Sequence, residues 1–165
     1  MSSNTILKTA NYVRLNNIRK FESLSEEYYD IQPIQFNNTI RWNIGHFIAI
    51  TDRMLFKRIT GSSRLPDGFI ELFKGGTKPS DWTLSPPSKV ELVQLLKIQL
   101  DDINSLFMDK LNENLKDPFL IRDTSFVTIG DILAFVTIHE VQHSTTSTYI
   151  LREIQRLNTN TEINK

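Results

Sequence analysis

The sequence contains no cysteine, and this absence excludes disulfides, thiolate nucleophiles and metal sites built on thiolates. No run approaches the ~18 consecutive apolar residues of a membrane-spanning helix, and the N-terminus lacks the basic and apolar segments of a signal peptide. Its 19 basic residues are balanced by 19 acidic ones, so the basic excess typical of nucleic-acid-binding proteins is also missing. We therefore expect a cytoplasmic protein with no nucleic-acid and no membrane partner.

Glycine and proline are scarce, at six residues each in a chain of 165, which favours long uninterrupted helices. Four segments carry the apolar period of a helix, and none alternates for long like a half-buried strand. They run from about Asn4 to Ser23, from Asn38 to Ile59, from Ser88 towards Pro118 and from Thr128 to Leu157. The pattern predicts an all-α four-helix bundle in one domain, residues 1–165, with a polar and frayed tail from about residue 158.

The boundaries of these helices carry local signals. Ser88 and Glu91 have the spacing of a capping box, and Thr128 can cap the fourth helix. The connection at residues 61–85 is much longer than the 2–8 residues usual between antiparallel neighbours in bundles. Its middle, residues 69–74, can form a short extra helix. Because so long a connection lets the chain return to its starting end, we expect the second and third helices to be parallel.

The chain has three histidines, and two of them, His139 and His143, lie four residues apart in the fourth predicted helix. Residues at this spacing share one face with Cβ atoms ~6 Å apart, so both imidazoles can reach one metal ion. They interrupt an apolar stripe, where burying an imidazole without a partner is costly. His46 lies on a largely apolar face of the second predicted helix. Together they offer three nitrogen donors and an open position, as in catalytic zinc sites, although all three can also be structural histidines.

The segment H-E-V-Q-H at residues 139–143 matches the short motif of zinc metalloproteases, in which the glutamate activates water. The residues that would extend the motif differ. Thr146 and Tyr149 stand where one protease class has glycine and a third histidine, and Glu162 lies in the polar tail rather than on a further helix. We therefore disfavour a peptidase, and we expect Glu140 either to support the metal ligands or to lie on the surface.

Several motifs together resemble the DinB-like (DinB/YfiT) superfamily. Residues 39–47, T-I-R-W-N-I-G-H-F, are similar to its W-x-x-G-H helix. Similar elements follow in the same order: P-S-D-W at 79–82, P-S at 87–88, V-T-I-G-D-I-L at 127–133 and H-x-x-x-H at 139–143. The resemblance extends over residues 5 to 157 and implies a four-helix bundle with up-down-down-up connectivity. It further implies one divalent metal ion, most often zinc or nickel, bound by His46, His139 and His143, and often a homodimer.

The resemblance also implies a class of activity. Characterised relatives include transferases that use a low-molecular-weight thiol such as bacillithiol or mycothiol, and others are described as metal-dependent hydrolases. This chain has Ser144–Ser147 where members often carry glycine and glutamine, so its substrate stays undetermined. We expect a metal-dependent thiol transferase acting on a small molecule; the alternatives are a metal-dependent hydrolase and a non-catalytic metal-binding or stress-related interaction protein. Asn43 and Arg53, on the His46 helix, are candidate pocket residues, with solvated or capping roles as the alternative.

Overall fold

The computed structural model describes residues 3–163, and the side chains of residues 4–159. Helices dominate, as the apolar period predicts. The helices are α1 (Ser3–Ser23), α2 (Ile40–Thr51), α3 (Arg58–Thr60), α4 (Phe69–Phe73), α5 (Lys89–Phe107) and α6 (Ile129–Ile163), and the strands are β1 (Asn114–Ile121) and β2 (Thr124–Thr128). A π-helical segment, Asp52–Lys57, joins α2 to α3, so that the two form one continuous rod. No helix within residues 3–163 is long and apolar enough to cross a membrane.

The predicted helix boundaries follow local chemistry. The hydroxyl of Thr39 accepts a hydrogen bond from the backbone N–H of Trp42 at the start of α2. At the start of α5, Ser88 and Glu91 form the predicted capping box, in which each side chain satisfies a free N–H of the other residue. Gly61, with φ +79°, ends the α2–α3 rod in the left-handed conformation that glycine adopts without strain.

The bundle has the expected up-down-down-up connectivity. Helix directions follow from contacting pairs: Arg14–Glu140 and Lys20–Thr148 for α1 and α6, Asn43–His143 and His46–His139 for α2 and α6, and Asn11–Asn104 and Leu24–Lys89 for α1 and α5. Residue numbers rise together in the first set, so α1 and α6 are parallel. In the other two sets one residue number rises while the other falls. Helix α2 is therefore antiparallel to α6, and α5 is antiparallel to α1. The long second connection thus returns the chain, as predicted.

The connection between α2 and α5 packs on the bundle. Its short helix α4 forms where the sequence favours one, and Phe69, Leu72 and Phe73 are buried in the core shared by α2 and α5. The indole N–H of Trp82 donates to the carbonyl of Leu72 at 2.8 Å, and its ring meets Phe73 edge-on. Burial of these rings holds α4 against α2, the helix that carries His46.

The third long helix is shorter than predicted. It ends at Phe107 instead of continuing towards Pro118, and residues 114–128 form an antiparallel hairpin that the sequence pattern did not indicate. The all-α fold class is confirmed, but the predicted end of the third helix is wrong, because a short hairpin replaces its last part. In β1 only Leu115 is buried, so the strand carries no regular alternation. The hairpin is instead stabilised by packing, since Phe119 stacks on Phe126, which meets Phe135 of α6 edge-on.

The C-terminal prediction also needs correction. We expected a frayed tail from about residue 158, but α6 continues through Ile163. Polar residues do not break a helix whose backbone ladder can continue, and Thr159 adds a side-chain hydrogen bond to the carbonyl of Gln155. Among the side chains that the structure describes, Ile154 is the last buried one of α6, so the helix extends past its packed part.

The contact between α2 and α4 yields a test. A Cβ added to Gly45 would overlap the ring of Phe73, so we expect Gly45→Ala to lower the free energy of unfolding by ~1–3 kcal/mol. Alanine is the better helix former, and that preference alone would favour the variant. Gly75→Ala is the matched control, because a Cβ there meets nothing within 4 Å. Urea denaturation measures both; equal stability of the two variants would contradict the assigned role of this contact.

Candidate metal centre

The three histidines come together between α2 and α6. Ring centroids are 5.1 Å apart for His46 and His139, 4.6 Å for His46 and His143, and 4.5 Å for His139 and His143. One nitrogen from each ring lies within 4.8 Å of the other two, a grouping that can hold a metal ion. A tetrahedral ion with bonds of ~2.0–2.1 Å keeps its nitrogens ~3.4 Å apart, so a small inward movement of the rings suffices.

His46 is held by the loop that follows α2. Its Nδ1–H donates to the carbonyl of Phe73 at 2.6 Å, and its ring stacks on Trp42 with centroids 4.5 Å apart. The indole N–H of Trp42 is itself bonded to the hydroxyl of Thr77 at 3.0 Å. Because Nδ1 is occupied by an oxygen acceptor, Nε2 is the nitrogen with a free lone pair. The ring of His46 is therefore fixed both in orientation and in tautomer.

His143 is oriented by an amide on the facing helix. Its Nδ1–H donates to Oδ1 of Asn43 at 2.8 Å, and Nδ2 of Asn43 donates to the carbonyl of Thr39 at 2.8 Å. The first bond frees Nε2 of His143 in the same way as at His46. Asn43 is buried with both polar atoms engaged, so the structure places it behind a candidate ligand and not on the wall of a pocket.

His139 is the least supported of the three. Its ring stacks on Phe135 with centroids 6.2 Å apart, and its Nδ1 is buried without a hydrogen-bond partner among the described residues. Leaving a buried polar nitrogen unpaired is unfavourable. Two of the imidazoles are oriented by hydrogen bonds and the third has an unpaired nitrogen, an arrangement expected of a metal site that a bound ion and its remaining ligands complete. The donor set therefore fits a metal ion.

All three imidazoles are neutral near pH 7. Burial, with smaller contributions from neighbouring charged groups, lowers the pKa of His139 to about 4 and that of His143 to about 3. Burial likewise lowers the pKa of His46, against the raising effect of its bond to Phe73. Neutral imidazole is the form that binds metals, and no proton has to be displaced first. Imidazoles accept zinc, nickel, cobalt and copper, so the donors alone do not select the ion.

Glu140 faces away from the histidines and is buried. Its Oε2 pairs with the guanidinium of Arg14 at 2.8 Å, and its Oε1 accepts from the amide of Asn17 at 3.0 Å. Of the two alternatives expected for Glu140, the surface position is therefore wrong, and support of the metal ligands stays a prediction. In a metalloprotease the corresponding glutamate activates water at the metal, whereas both oxygens here are engaged with α1. The H-E-V-Q-H segment thus contributes its histidines and its glutamate to different faces of α6.

Arg53, the other candidate pocket residue, is close enough to the centre to influence two of its imidazoles. It is exposed, at the start of the π-helical segment two turns beyond His46. Its positive charge contributes to lowering the pKa of His46 and of His139, so the guanidinium is within electrostatic range of both rings. The structure thus leaves Arg53 available to solvent beside the centre.

Sequence reasoning did not identify several residues that shape this centre. The carbonyl of Phe73 and the rings of Trp42 and Phe135 contact the candidate ligands, while Arg14 fixes Glu140. Trp42 lies one turn before His46, so helical spacing alone signalled its proximity. No comparable signal exists for Phe73, because it acts through its backbone carbonyl from the last residue of α4, far from His46 in sequence.

Two comparisons with known proteins bear on this geometry. The family model described as the DinB superfamily matches residues 12–146, a range that includes all three histidines. No curated protein matches the chain.

The geometry predicts one metal ion per chain. We expect His139→Ala or His143→Ala to abolish stoichiometric binding and His46→Ala to weaken it strongly, because each removes one of three donors. Metal analysis of protein purified without an affinity tag, followed by competition with a chelator, measures the effect. Gln142→Ala, on the same helix but exposed, is the control and should bind as the parent does. A triple alanine variant that retained the metal would refute the assignment.

The lowered pKa values predict acid sensitivity of the metal-free protein. An unfolded chain protonates its histidines near pH 6.5, whereas folded His139 and His143 stay neutral until about pH 4 and 3. Between these limits the unfolded state binds more protons, so stability falls as the pH falls. We expect urea denaturation with a chelator present to show a loss between pH 6.5 and 5 of at most ~1.4 kcal/mol per pH unit for each histidine. His139→Gln/His143→Gln should flatten this dependence, and an unchanged slope would contradict the explanation.

Proposed function

The chain belongs to the DinB superfamily, and from the geometry of its histidines we propose that it is a metal-dependent transferase using a low-molecular-weight thiol. A divalent ion such as Zn²⁺ or Ni²⁺, when bound, would lower the pKa of a coordinated thiol so that a thiolate is available to attack an electrophile. The observation that carries the proposal is a neutral set of three imidazoles with no carboxylate among them. Such a set leaves a coordination position open for a further ligand.

The burial of the three histidines indicates that a small molecule can reach the centre from the side of His139 and His143. His46 is 7 % exposed, while His139 and His143 are each partly exposed. Two of the candidate ligands therefore border solvent, as a reactant that must enter and leave requires. Trp42 and Phe135 supply apolar surface against the rings at either end of the group. A small molecule with an apolar portion suits these walls.

The thiol has to come from outside the chain, since the sequence has no cysteine. In this proposal His46 and His143, held by Phe73 and Asn43, fix the donor geometry. Exposed Arg53 offers a positive charge to an anionic group of a cosubstrate or substrate. A homodimeric assembly stays a prediction of the family resemblance, and a cytoplasmic location stays a prediction from the sequence.

A metal-dependent hydrolase is the second candidate, because the same three-imidazole set can lower the pKa of bound water. A peptidase of the H-E-x-x-H kind is disfavoured by the pairing of Glu140 with Arg14, which leaves no carboxylate to activate water from that position. The third alternative is a protein that binds the ion without turnover. Binding of a thiol sulfur at the open coordination position distinguishes the transferase from the hydrolase and from the non-catalytic protein.

Cobalt substitution tests the thiol directly. We expect bacillithiol, glutathione or cysteine to add a charge-transfer band to the spectrum of the Co²⁺ protein, because thiolate ligands give such absorption. The band must come from the added thiol, since the chain has no cysteine. S-methylcysteine, which has no ionisable S–H, is the matched control and should give no band. The same protein should speed the loss of that thiol with a model electrophile, and His143→Ala should not.

A cobalt spectrum unchanged by all three thiols would rule out the transferase. Turnover of activated esters or amides by the metal-loaded protein would then favour the hydrolase. No turnover of either kind would leave the non-catalytic metal protein.

A further inference from the structure

A charged pair lies inside the bundle, on the face of α6 adjacent to the one that carries the histidines. Arg14 of α1 and Glu140 of α6 are 2 % and 3 % exposed. The carboxylate Oε2 accepts from Nε of Arg14 at 2.9 Å and lies 2.8 Å from Nη2, so two guanidinium nitrogens converge on one oxygen. Oε1 accepts from the amide of Asn17 at 3.0 Å. Both oxygens of Glu140 are thus held by α1.

The pair belongs to a larger polar network that reaches the other two helices. Nη1 of Arg14 donates to Oε1 of Gln99 in α5 at 2.9 Å. Gln99 is fully buried, and its amide donates to the carbonyl of Ile48 in α2 at 3.0 Å. On the α6 side, Ser144 donates to Oδ1 of Asn17. All four long helices therefore contribute to one connected set of buried polar groups.

Such a network is a weak explanation of stability. Desolvation of two charges offsets most of their attraction, and replacing a buried ion pair with apolar residues is often neutral or stabilising. In some proteins a buried pair instead selects one arrangement of the helices, because another rotation would leave a charge unpaired. The position of this pair in the fold determines which helix it holds in one orientation.

Glu140 follows His139 directly and precedes His143 by three residues. Successive residues of a helix are ~100° apart around its axis, so a carboxylate held by α1 sets the direction in which the flanking imidazoles point. They point to α2, where His46 lies 5.1 Å from His139 and 4.6 Å from His143, ring centre to ring centre. Within the part of the chain that the structure describes, Nδ1 of His139 has no hydrogen-bond partner to orient the ring, so its direction depends on the rotation of α6.

We propose that Arg14 and Glu140 are positioning residues of the metal centre: their ion pair fixes the rotation of α6 and thereby aims His139 and His143 at His46. The inference rests on the proposed metal-binding function, and it gives the glutamate of the H-E-V-Q-H segment a role other than acid–base chemistry.

The test separates positioning from folding by removing both charges together. In Arg14→Met/Glu140→Leu no buried charge is left unpaired, so we expect the metal-free protein to stay folded with a melting temperature equal to the parent's or higher. We expect its dissociation constant for Zn²⁺, from chelator competition, to rise roughly 10- to 100-fold, as when groups that orient metal ligands are lost. The visible absorption of bound Co²⁺ should also change, because it reports ligand geometry.

The control removes a surface ion pair that joins α1, the helix of Arg14, to α5. Lys97 and Glu22 link α5 to α1 at 2.8 Å, and both are exposed. Glu22→Gln/Lys97→Gln should leave Zn²⁺ affinity and the Co²⁺ spectrum unchanged. If the double variant of the buried pair does not fold, Asn17→Ala decides, because it leaves the ion pair in place and removes only the neutral bonds to Glu140 and Ser144. It should still weaken Zn²⁺ binding, by about threefold or more.

Two negative outcomes are distinct. A parent protein that binds metal, together with variants whose affinity stays within about twofold and whose Co²⁺ spectra are unchanged, would overturn the positioning role and leave the proposed function intact. A parent protein that binds no metal would overturn the proposed function, and this inference with it.

Discussion

The rotation of α6 about its own axis is the constraint on which the rest of this structure depends. One face of the helix carries His139 and His143 towards α2, and the adjacent face carries Glu140 towards Arg14 of α1. Both faces are polar and both are largely withdrawn from solvent, so neither can turn away without leaving polar groups unpaired. The helix cannot rotate to improve one set of contacts without losing the other. The candidate metal centre and the buried ion pair are therefore two consequences of one packing arrangement.

Burial prepares the three imidazoles for a metal ion. Withdrawal from water disfavours the charged form, which is why the pKa values of His139 and His143 fall to about 4 and 3. Two of the rings also have Nδ1 bonded to an oxygen, one to Phe73 and one to Asn43. Desolvation sets the protonation state and these hydrogen bonds set the tautomer. The protein thus presents lone pairs at neutral pH without a carboxylate among the donors.

The long connection after α2 is part of the site and not a spacer. It returns the chain so that α2 and α5 are parallel, and on the way it packs α4 over Gly45. That contact brings the carbonyl of Phe73 to His46, one residue beyond the glycine. The absence of a side chain at Gly45 and the orientation of the imidazole are therefore linked: a helix that could not approach so closely could not offer this acceptor.

The sequence by itself determined whatever depends on neighbours within a helical turn. The four long helices, the capping box of Ser88 and Glu91, and the shared face of His139 and His143 all follow from spacings of three or four residues. The tertiary structure alone decided the groups that act across the chain: the bond from His143 to Asn43 spans 100 residues, and that from Arg14 to Glu140 spans 126. The hairpin at residues 114–128 also depends on a contact that is distant in sequence. Phe126 packs edge-on against Phe135, and the strands have no apolar alternation from which they could be predicted. Local periodicity records which face of a helix is apolar. It does not record which polar group meets another when those faces pack, because that depends on the rotation of each helix in the assembled bundle.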